Sequence, residues 1–134
     1  MQRLILVLAI VVAGCSMSGD AKLAEQAVTK FHESLDAGQF DAIYEDSAKD
    51  LKDVATKGDF AALLEAVHQK LGATKSASET GFNMNYNTSG KFVTLTYSTI
   101  YAEGEASERF VYRVHDDRAL LVGYHINSNA LIVK

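Results

Sequence analysis

The chain has 134 residues, with 13 basic and 17 acidic side chains and a formal charge of −4 at neutral pH. This mildly acidic balance argues against nucleic-acid binding and against a polybasic membrane patch. Cysteine occurs once, so no internal disulfide bond can form, and the stability of the chain depends on an ordinary hydrophobic core.

The N-terminus carries a short apolar segment between one basic residue and the single cysteine. After Arg3, residues 4–13 read LILVLAIVVA without a charge. A membrane-spanning helix needs about 20 apolar residues, whereas a cleaved signal peptide has a shorter apolar region ending in small side chains. Residues 12–15, Val-Ala-Gly-Cys, resemble the bacterial lipobox. We therefore predict cleavage between Gly14 and Cys15 and lipidation of the Cys15 sulfur; an ordinary secretory signal is the alternative.

The lipobox resemblance implies a cellular location. Bacterial lipoproteins carry two or three acyl chains, and each buried methylene contributes ~0.8 kcal/mol to membrane attachment. Ser16 follows the cysteine, where an aspartate would indicate retention at the inner membrane of a Gram-negative host. We expect a lipid anchor at Cys15 in the bacterial cell envelope, at the outer membrane facing the periplasm. The predicted division is a signal peptide over 1–14, the lipidated cysteine with a short linker over 15–19, and one domain over 20–134.

Helical periodicity fills the first half of this domain. Asp20 is the predicted N-cap of a first helix, and Gly38 its end. A second helix is predicted over about 40–50, and a third is predicted to be capped by Asp59 and closed by Gly72. Apolar residues at spacings of three and four predict one buried face for each helix. These residues are Leu23, Ala24, Ala27, Val28, Phe31, Leu35, Phe40, Ile43, Tyr44, Ala48, Phe60, Leu63, Leu64, Val67 and Leu71.

The second half alternates with a period of two, which predicts strands over about 76–86, 91–102, 106–115 and 118–127. Short turns between neighbouring strands predict an antiparallel meander. We therefore expect an α+β domain in which three N-terminal helices pack on one face of a four-stranded sheet. The side chains predicted to face the helices are Phe82, Met84, Tyr86, Val93, Leu95, Tyr97, Thr99, Tyr101, Phe110, Tyr112, Val114, Leu120, Val122, Tyr124 and Ile126.

Several stretches of this pattern resemble a known family. They are AVTKFHESLDAGQF at 27–40, Leu-Gly at 71–72, ERFVYRV at 108–114 and ALLVGYHI at 119–126. The domain resembles small, uncharacterised bacterial secreted and lipoprotein domains of the cystatin-like type, a group that includes the nuclear-transport-factor-two-like folds. A tryptophan is frequent before the last strand in that family and is missing here. No activity is established for the family, so the resemblance implies a fold only.

Some relatives in that broad group place a carboxylate base and a tyrosine donor inside the cone between sheet and helices, a set suited to proton transfer beside a carbonyl. The strands offer inward tyrosines, but we identify no clear inward carboxylate. We therefore predict no catalytic residues and expect the tyrosines to fill the core with their hydroxyls at its rim. A cone-pocket isomerase or hydratase is the alternative.

The four histidines do not predict a metal site. His32 and His68 are predicted near the polar sides of different helices, whereas His115 and His125 lie on neighbouring strands, apart in register. A zinc or copper site needs ligands side by side and a third donor. We expect neither a metal nor a cofactor.

The outer face of the sheet is the candidate binding face. Thr96, Arg113 and His125 alternate out of phase with the apolar residues, so they are predicted to point away from the helices. Arg113 forms a short basic row with Arg109, which suits an anionic group or a partner's carboxylate, although cross-strand pairing with nearby glutamates would equally explain it. The expected function is a lipid-anchored envelope protein of unknown molecular activity, whose domain binds a protein or a small ligand.

Overall fold

A computed structural model of the protein describes residues 16–132 and confirms the predicted α+β class. Four helices precede four strands, which form one antiparallel sheet in the order β1-β2-β3-β4, and a short helix follows. The helices are α1 (Ser16–Asp36), α2 (Phe40–Glu45), α3 (Lys49–Val54), α4 (Lys57–Leu71) and α5 (Asn129–Ile132). The strands are β1 (Thr74–Asn87), β2 (Gly90–Tyr101), β3 (Gly104–His115) and β4 (Arg118–Asn127). Within this part of the chain, no helix has the length and apolar character needed to cross a bilayer.

Helix α1 begins earlier than the sequence predicted. Residues 16–19 are its first turn rather than a linker, and Asp20 lies inside the helix rather than capping it. The only helix breaker in this stretch is Gly19, which costs an exposed helix roughly 1 kcal/mol relative to alanine. The Asp20 carboxylate instead pairs with Lys91 at the start of β2, with Oδ2 2.6 Å from Nζ. The end of α1 is as predicted, because Gly38 follows it with a φ of +72°.

The predicted second helix is two short helices, so four helices precede the sheet rather than three. The break lies at Ser47 and Ala48, where Ala48 has extended backbone angles. Its N–H donates to the carbonyl of Leu121 on the edge strand β4, at 2.8 Å. The helix is interrupted here because this bond satisfies both the Leu121 carbonyl on β4 and the Ala48 amide.

Thr56, not Asp59, caps helix α4. The Thr56 hydroxyl accepts a hydrogen bond from the Asp59 backbone N–H at 3.1 Å, and Asp59 lies in the first turn. Both residue types favour caps, and the position of the first turn selects the threonine. Gly72 closes the helix as predicted, with a φ of +75° that favours glycine.

The predicted alternation of inward and outward side chains is confirmed on β2 and β3. On β4 the alternation shifts by one residue. The four inward tyrosines, at 97, 101, 112 and 124, are all buried. In β4 the partner of Val111 is Gly123 but the partner of Tyr112 is Leu121, which leaves Val122 as the extra residue of a bulge. A bulge reverses the alternation beyond it. Leu121 is therefore the buried residue there, in place of Leu120 and Val122.

The helices leave one part of the sheet uncovered. Phe82 and Tyr86 on β1 pair with Leu95 and Lys91, so they lie on the helix-facing side as predicted. They are nevertheless 47% and 76% exposed. Since β1 is an edge strand, this apolar surface lies beyond the region that α1 covers.

Leu64 on α4 has a fully buried side chain. Leu64→Ala should lower the free energy of unfolding by about 2–5 kcal/mol, because it removes buried methyl groups and leaves a cavity. Leu63→Ala is the matched control, since the neighbouring Leu63 is 41% exposed, contrary to its predicted burial. Urea denaturation of the domain should separate the two variants. Equal midpoints would show that the buried face of α4 is assigned wrongly.

Candidate functional site

A carboxylate lies at the centre of the core. Glu108 on β3 is 0% exposed and has the same inward phase as Phe110. The Tyr101 hydroxyl donates to its Oε2 at 2.9 Å, and the Tyr124 hydroxyl donates to the same oxygen. His32 of α1 donates from Nε2 to Oε1 at 2.8 Å. We call His32, Tyr101, Glu108 and Tyr124 the buried quartet.

Aromatic packing holds the imidazole of the quartet in place. His32 meets the Phe110 ring edge-on, with centroids 5.7 Å apart and planes at 90°. Its neighbour Phe31 packs against Phe110 at 5.0 Å and against Tyr124 at 4.7 Å. Such pairs stabilise a fold by about 0.5–1.5 kcal/mol beyond their buried area. The packing of α1 on the sheet therefore fixes the orientation of the His32 imidazole independently of its hydrogen bond to Glu108.

The charge of the carboxylate is stabilised by its neighbours. Burial alone would raise the pKa of Glu108, but the hydrogen bond and the charge of His32 bring that pKa below its ordinary value of 4.5. Burial, followed by the charge of Glu108, raises the pKa of Tyr101 and of Tyr124 far above the usual tyrosine value. Both hydroxyls therefore remain protonated and act as hydrogen-bond donors to an ionised glutamate.

The quartet corrects three expectations from the sequence. Glu108 is an inward carboxylate, although none was identified. His32 is buried rather than near a polar side, and Tyr101 and Tyr124 direct their hydroxyls into the core rather than to its rim. Each carboxylate oxygen already accepts a hydrogen bond inside the protein, and the side chain has no exposed surface. The quartet is therefore built to join core elements, and a substrate would have to displace protein groups to reach Glu108.

A cleft opens beside the quartet, between α1, α2 and β4. Its volume is about 250 Å³, and its apolar walls include Phe31, Ile43 and Leu121. Tyr112 also lines this cleft, and its hydroxyl is buried without a hydrogen-bond partner in the described part of the chain. Leaving such a group unsatisfied costs about 1–3 kcal/mol. Burial also raises the pKa of Tyr112, so the hydroxyl stays protonated; it has essentially no accessible surface and lies behind the wall of the cleft, on the side of Tyr97 and Glu108. We call this the α1–β4 cleft.

Charged side chains surround the mouth of the α1–β4 cleft. Lys30 of α1 faces Asp46 across the mouth, with Nζ 4.0 Å from Oδ2 and both side chains largely exposed. Arg118 at the start of β4 is a second cation at the mouth. An exposed pair at this distance contributes little to stability. These side chains therefore remain available to interact with a polar or anionic group.

The three residues of the predicted binding face are not one cluster. Thr96 and His125 both pair with Arg109, so they share one row across β2, β3 and β4. Arg113 lies further along β3 and is half-buried. Its guanidinium binds Asp50 of α3, with Nε 3.1 Å from Oδ1 and Nη2 2.5 Å from Oδ2. Arg113 thus connects α3 to the sheet, and Arg109, which is exposed, is the cation between Thr96 and His125.

The histidines do not converge. His125 pairs with Arg109, whereas His115 pairs with Arg118 at the far end of β3. Six residues of strand separate the two histidines, about 20 Å at 3.3 Å per residue. Over residues 16–132, no three histidine, cysteine, aspartate or glutamate side chains lie close enough to hold a metal ion. Gly14 and Cys15, the predicted cleavage and lipidation residues, lie outside the described residues.

Comparison with known proteins places this α+β domain in a family. The family model of DUF4019, a protein family of unknown function, matches residues 27–124. Because this match covers most of the chain, the protein belongs to that family. The matched residues include all four members of the buried quartet and every residue that lines the α1–β4 cleft. No curated protein matches the chain.

A solved structure shares the fold. A protein from Catenulispora acidiphila, determined at 2.5 Å, superposes with a TM-score of 0.56 and is 13% identical. The similarity covers 85% of this chain and 94% of that one. At this identity, the likeness shows a shared architecture and carries no activity from one protein to the other.

The quartet predicts a large effect of one uncharged substitution. Glu108→Gln should lower the free energy of unfolding by about 1–3 kcal/mol at neutral pH, because the amide nitrogen replaces one acceptor oxygen and leaves a buried donor of the quartet without its partner. Glu103→Gln, at an exposed position in the β2–β3 turn, is the matched control and should change stability by no more than ~0.5 kcal/mol. Chemical denaturation at pH 7 measures both.

The same pair of variants tests the pH dependence. Because the pKa of Glu108 is lowered in the folded state, its contribution is fully present above the unfolded value of about 4.5 and is lost as the pH falls below it. The stability difference between wild type and Glu108→Gln should therefore shrink below about pH 4.5. A difference that grows on acidification would show that the folded-state pKa is raised instead.

Proposed function

We propose that the protein is a lipid-anchored component of the bacterial cell envelope whose domain binds a small ligand in the α1–β4 cleft. The observation that carries this proposal is the cleft itself, a concave space of about 250 Å³ with apolar walls and charged side chains at its mouth. Small-ligand sites are usually concave and apolar, with a few polar groups at fixed positions. The lipobox at residues 12–15 supports the anchor.

The lining of the cleft restricts the ligand. Its volume of about 250 Å³ is below the ~300–1,000 Å³ usual for drug-sized ligands, so the ligand is small. Phe31, Ile43 and Leu121 provide an apolar wall. The cations at the mouth favour a polar or anionic group at the outer end of the ligand. A compact molecule with an apolar body and a polar or anionic end meets these requirements.

The second candidate is a cone-pocket isomerase or hydratase. The residue types of the quartet favour this enzymatic candidate, because a carboxylate, a histidine and two tyrosines lie together. A general base must reach the proton that it removes, within hydrogen-bond distance or through one water. Glu108 is enclosed and does not line the α1–β4 cleft. We therefore favour binding over catalysis.

Filling the cleft should abolish binding. Ala27 lines the cleft on α1, whereas the adjacent Gln26 is exposed, so Ala27→Trp fills the cleft and Gln26→Trp is its matched control. Each protein is purified from its own envelope and compared by native and denaturing mass spectrometry. Wild type and Gln26→Trp should retain a bound small molecule that denaturation releases, and folded Ala27→Trp should lack it.

Two results would contradict the ligand site. A bound molecule that persists in folded Ala27→Trp lies elsewhere on the domain. If wild type instead carries no small molecule and captures an envelope protein through Thr96, Arg109 and His125, the sheet face is the binding surface. In that test Arg113 is left unchanged, because its loss would also remove the ion pair with Asp50.

The anchor has its own test. Cys15→Ser should abolish both lipidation and cleavage, because the thioether to the diacylglyceryl group cannot form. Cells are labelled with a radioactive fatty acid, and Ser16→Ala, which keeps the cysteine, is the control. Label retained by Cys15→Ser would disprove the assignment of the lipidated residue.

A further inference from the structure

An exposed aromatic surface lies on β1. Phe82 and Tyr86 occupy the helix-facing side of this edge strand, where they remain 47% and 76% exposed. Large aromatic side chains exposed together on a soluble domain often mark a contact surface. We call the pair the β1 aromatic surface.

The β1 aromatic surface lies beside the start of α1. Tyr86 is the direct strand partner of Lys91, whose Nζ lies 5.6 Å from the centre of the Tyr86 ring. The same Nζ lies 2.6 Å from Oδ2 of Asp20, in the second turn of α1. The Lys91 ammonium therefore joins the aromatic surface to the N-terminal end of the helix.

The start of α1 is also the point where the predicted anchor joins the domain. The helix begins at Ser16, the residue directly after Cys15. At 1.5 Å per residue, Ser16 lies only about 6 Å along the helix axis from Asp20. Because residues 16–19 are helical rather than an extended linker, a lipid on Cys15 would hold this end of the domain at the bilayer.

We infer that the β1 aromatic surface contacts the phospholipid headgroup region and orients the anchored domain on the membrane. This inference rests on the lipid anchor of the proposed function. Aromatic rings favour the interface between headgroups and acyl chains, and a second contact adds to the attachment that the acyl chains provide. The surface thus acts together with the anchor rather than in place of it.

The charges at this end favour a contact that does not depend on anionic lipid. Lys91 is paired with Asp20, and Arg113 with Asp50. The nearby β3–β4 turn adds two exposed carboxylates.

Electrostatic attachment to anionic lipids needs a cluster of about 4–8 basic residues. In the described part of the chain, this end presents only Lys22 and Arg118 as exposed lysine or arginine side chains without a carboxylate partner. Zwitterionic vesicles should therefore suffice, and salt should have little effect.

The absence of tryptophan from the sequence makes a direct test available. Tyr86→Trp places a single tryptophan on the aromatic surface, whose emission can be excited selectively over that of the remaining tyrosines. Ile100→Trp is the matched control, because Ile100 is 50% exposed on β2 but lies beside the opposite, β2–β3 end of the sheet. Phe82→Trp is a second reporter if Tyr86→Trp fails to fold. The full lipidated proteins are reconstituted into phosphatidylcholine vesicles with or without brominated acyl chains.

The expected result is a blue-shifted emission from Trp at position 86 that brominated lipid quenches several-fold more strongly than emission from position 100. Equal quenching at the two positions in vesicle-bound protein would overturn the inference. A blue shift without quenching, together with a dimer in sedimentation, would assign the surface to a second copy and overturn it as well. Vesicle flotation is measured separately, because protein that does not float contradicts the anchor itself and this surface with it.

Discussion

The ionised carboxylate of Glu108 is the constraint on which the rest of the structure depends. Moving one charge out of water costs several kcal/mol, and only well-placed partners offset that cost. Here the partners come from α1, β2 and β4, while Glu108 itself belongs to β3. One side chain therefore specifies how the helix lies on three neighbouring strands. A rotation of α1 that removed His32 would leave the carboxylate buried with only the two tyrosine donors, both on Oε2.

Helix α1 connects the buried quartet to the α1–β4 cleft and to the predicted anchor. Its middle contributes His32 to the quartet, while Lys30 and Phe31 contribute to the mouth and wall of the α1–β4 cleft. Its first turn directly follows the predicted anchor at Cys15. Because one rigid helix holds all three features, the quartet would fix the direction in which the cleft opens relative to the membrane. A domain attached through a flexible linker would have no such fixed direction.

Periodicity alone predicts most of the fold and could have predicted the quartet. Glu108 has the same strand phase as Phe110, Tyr112 and Val114, which were predicted inward, so extending the alternation by one step places it in the core. What the sequence could not predict depends on tertiary contacts. The break between α2 and α3 follows from the hydrogen bond of Ala48 to β4, and the change of phase on β4 follows from a bulge. The unpartnered hydroxyl of Tyr112 appears only when the surrounding elements are packed.

Glu108 is ionised inside the folded domain because His32, Tyr101 and Tyr124 stabilise its charge. The most direct measurement is a pH titration of the Glu108 side-chain carboxyl carbon by NMR, on protein labelled with carbon-13 in glutamate. The resonance should keep the chemical shift of a carboxylate from neutral pH to below 4.5 while the protein remains folded. A resonance that titrates above 4.5, as a buried carboxyl without charge partners would, contradicts this account.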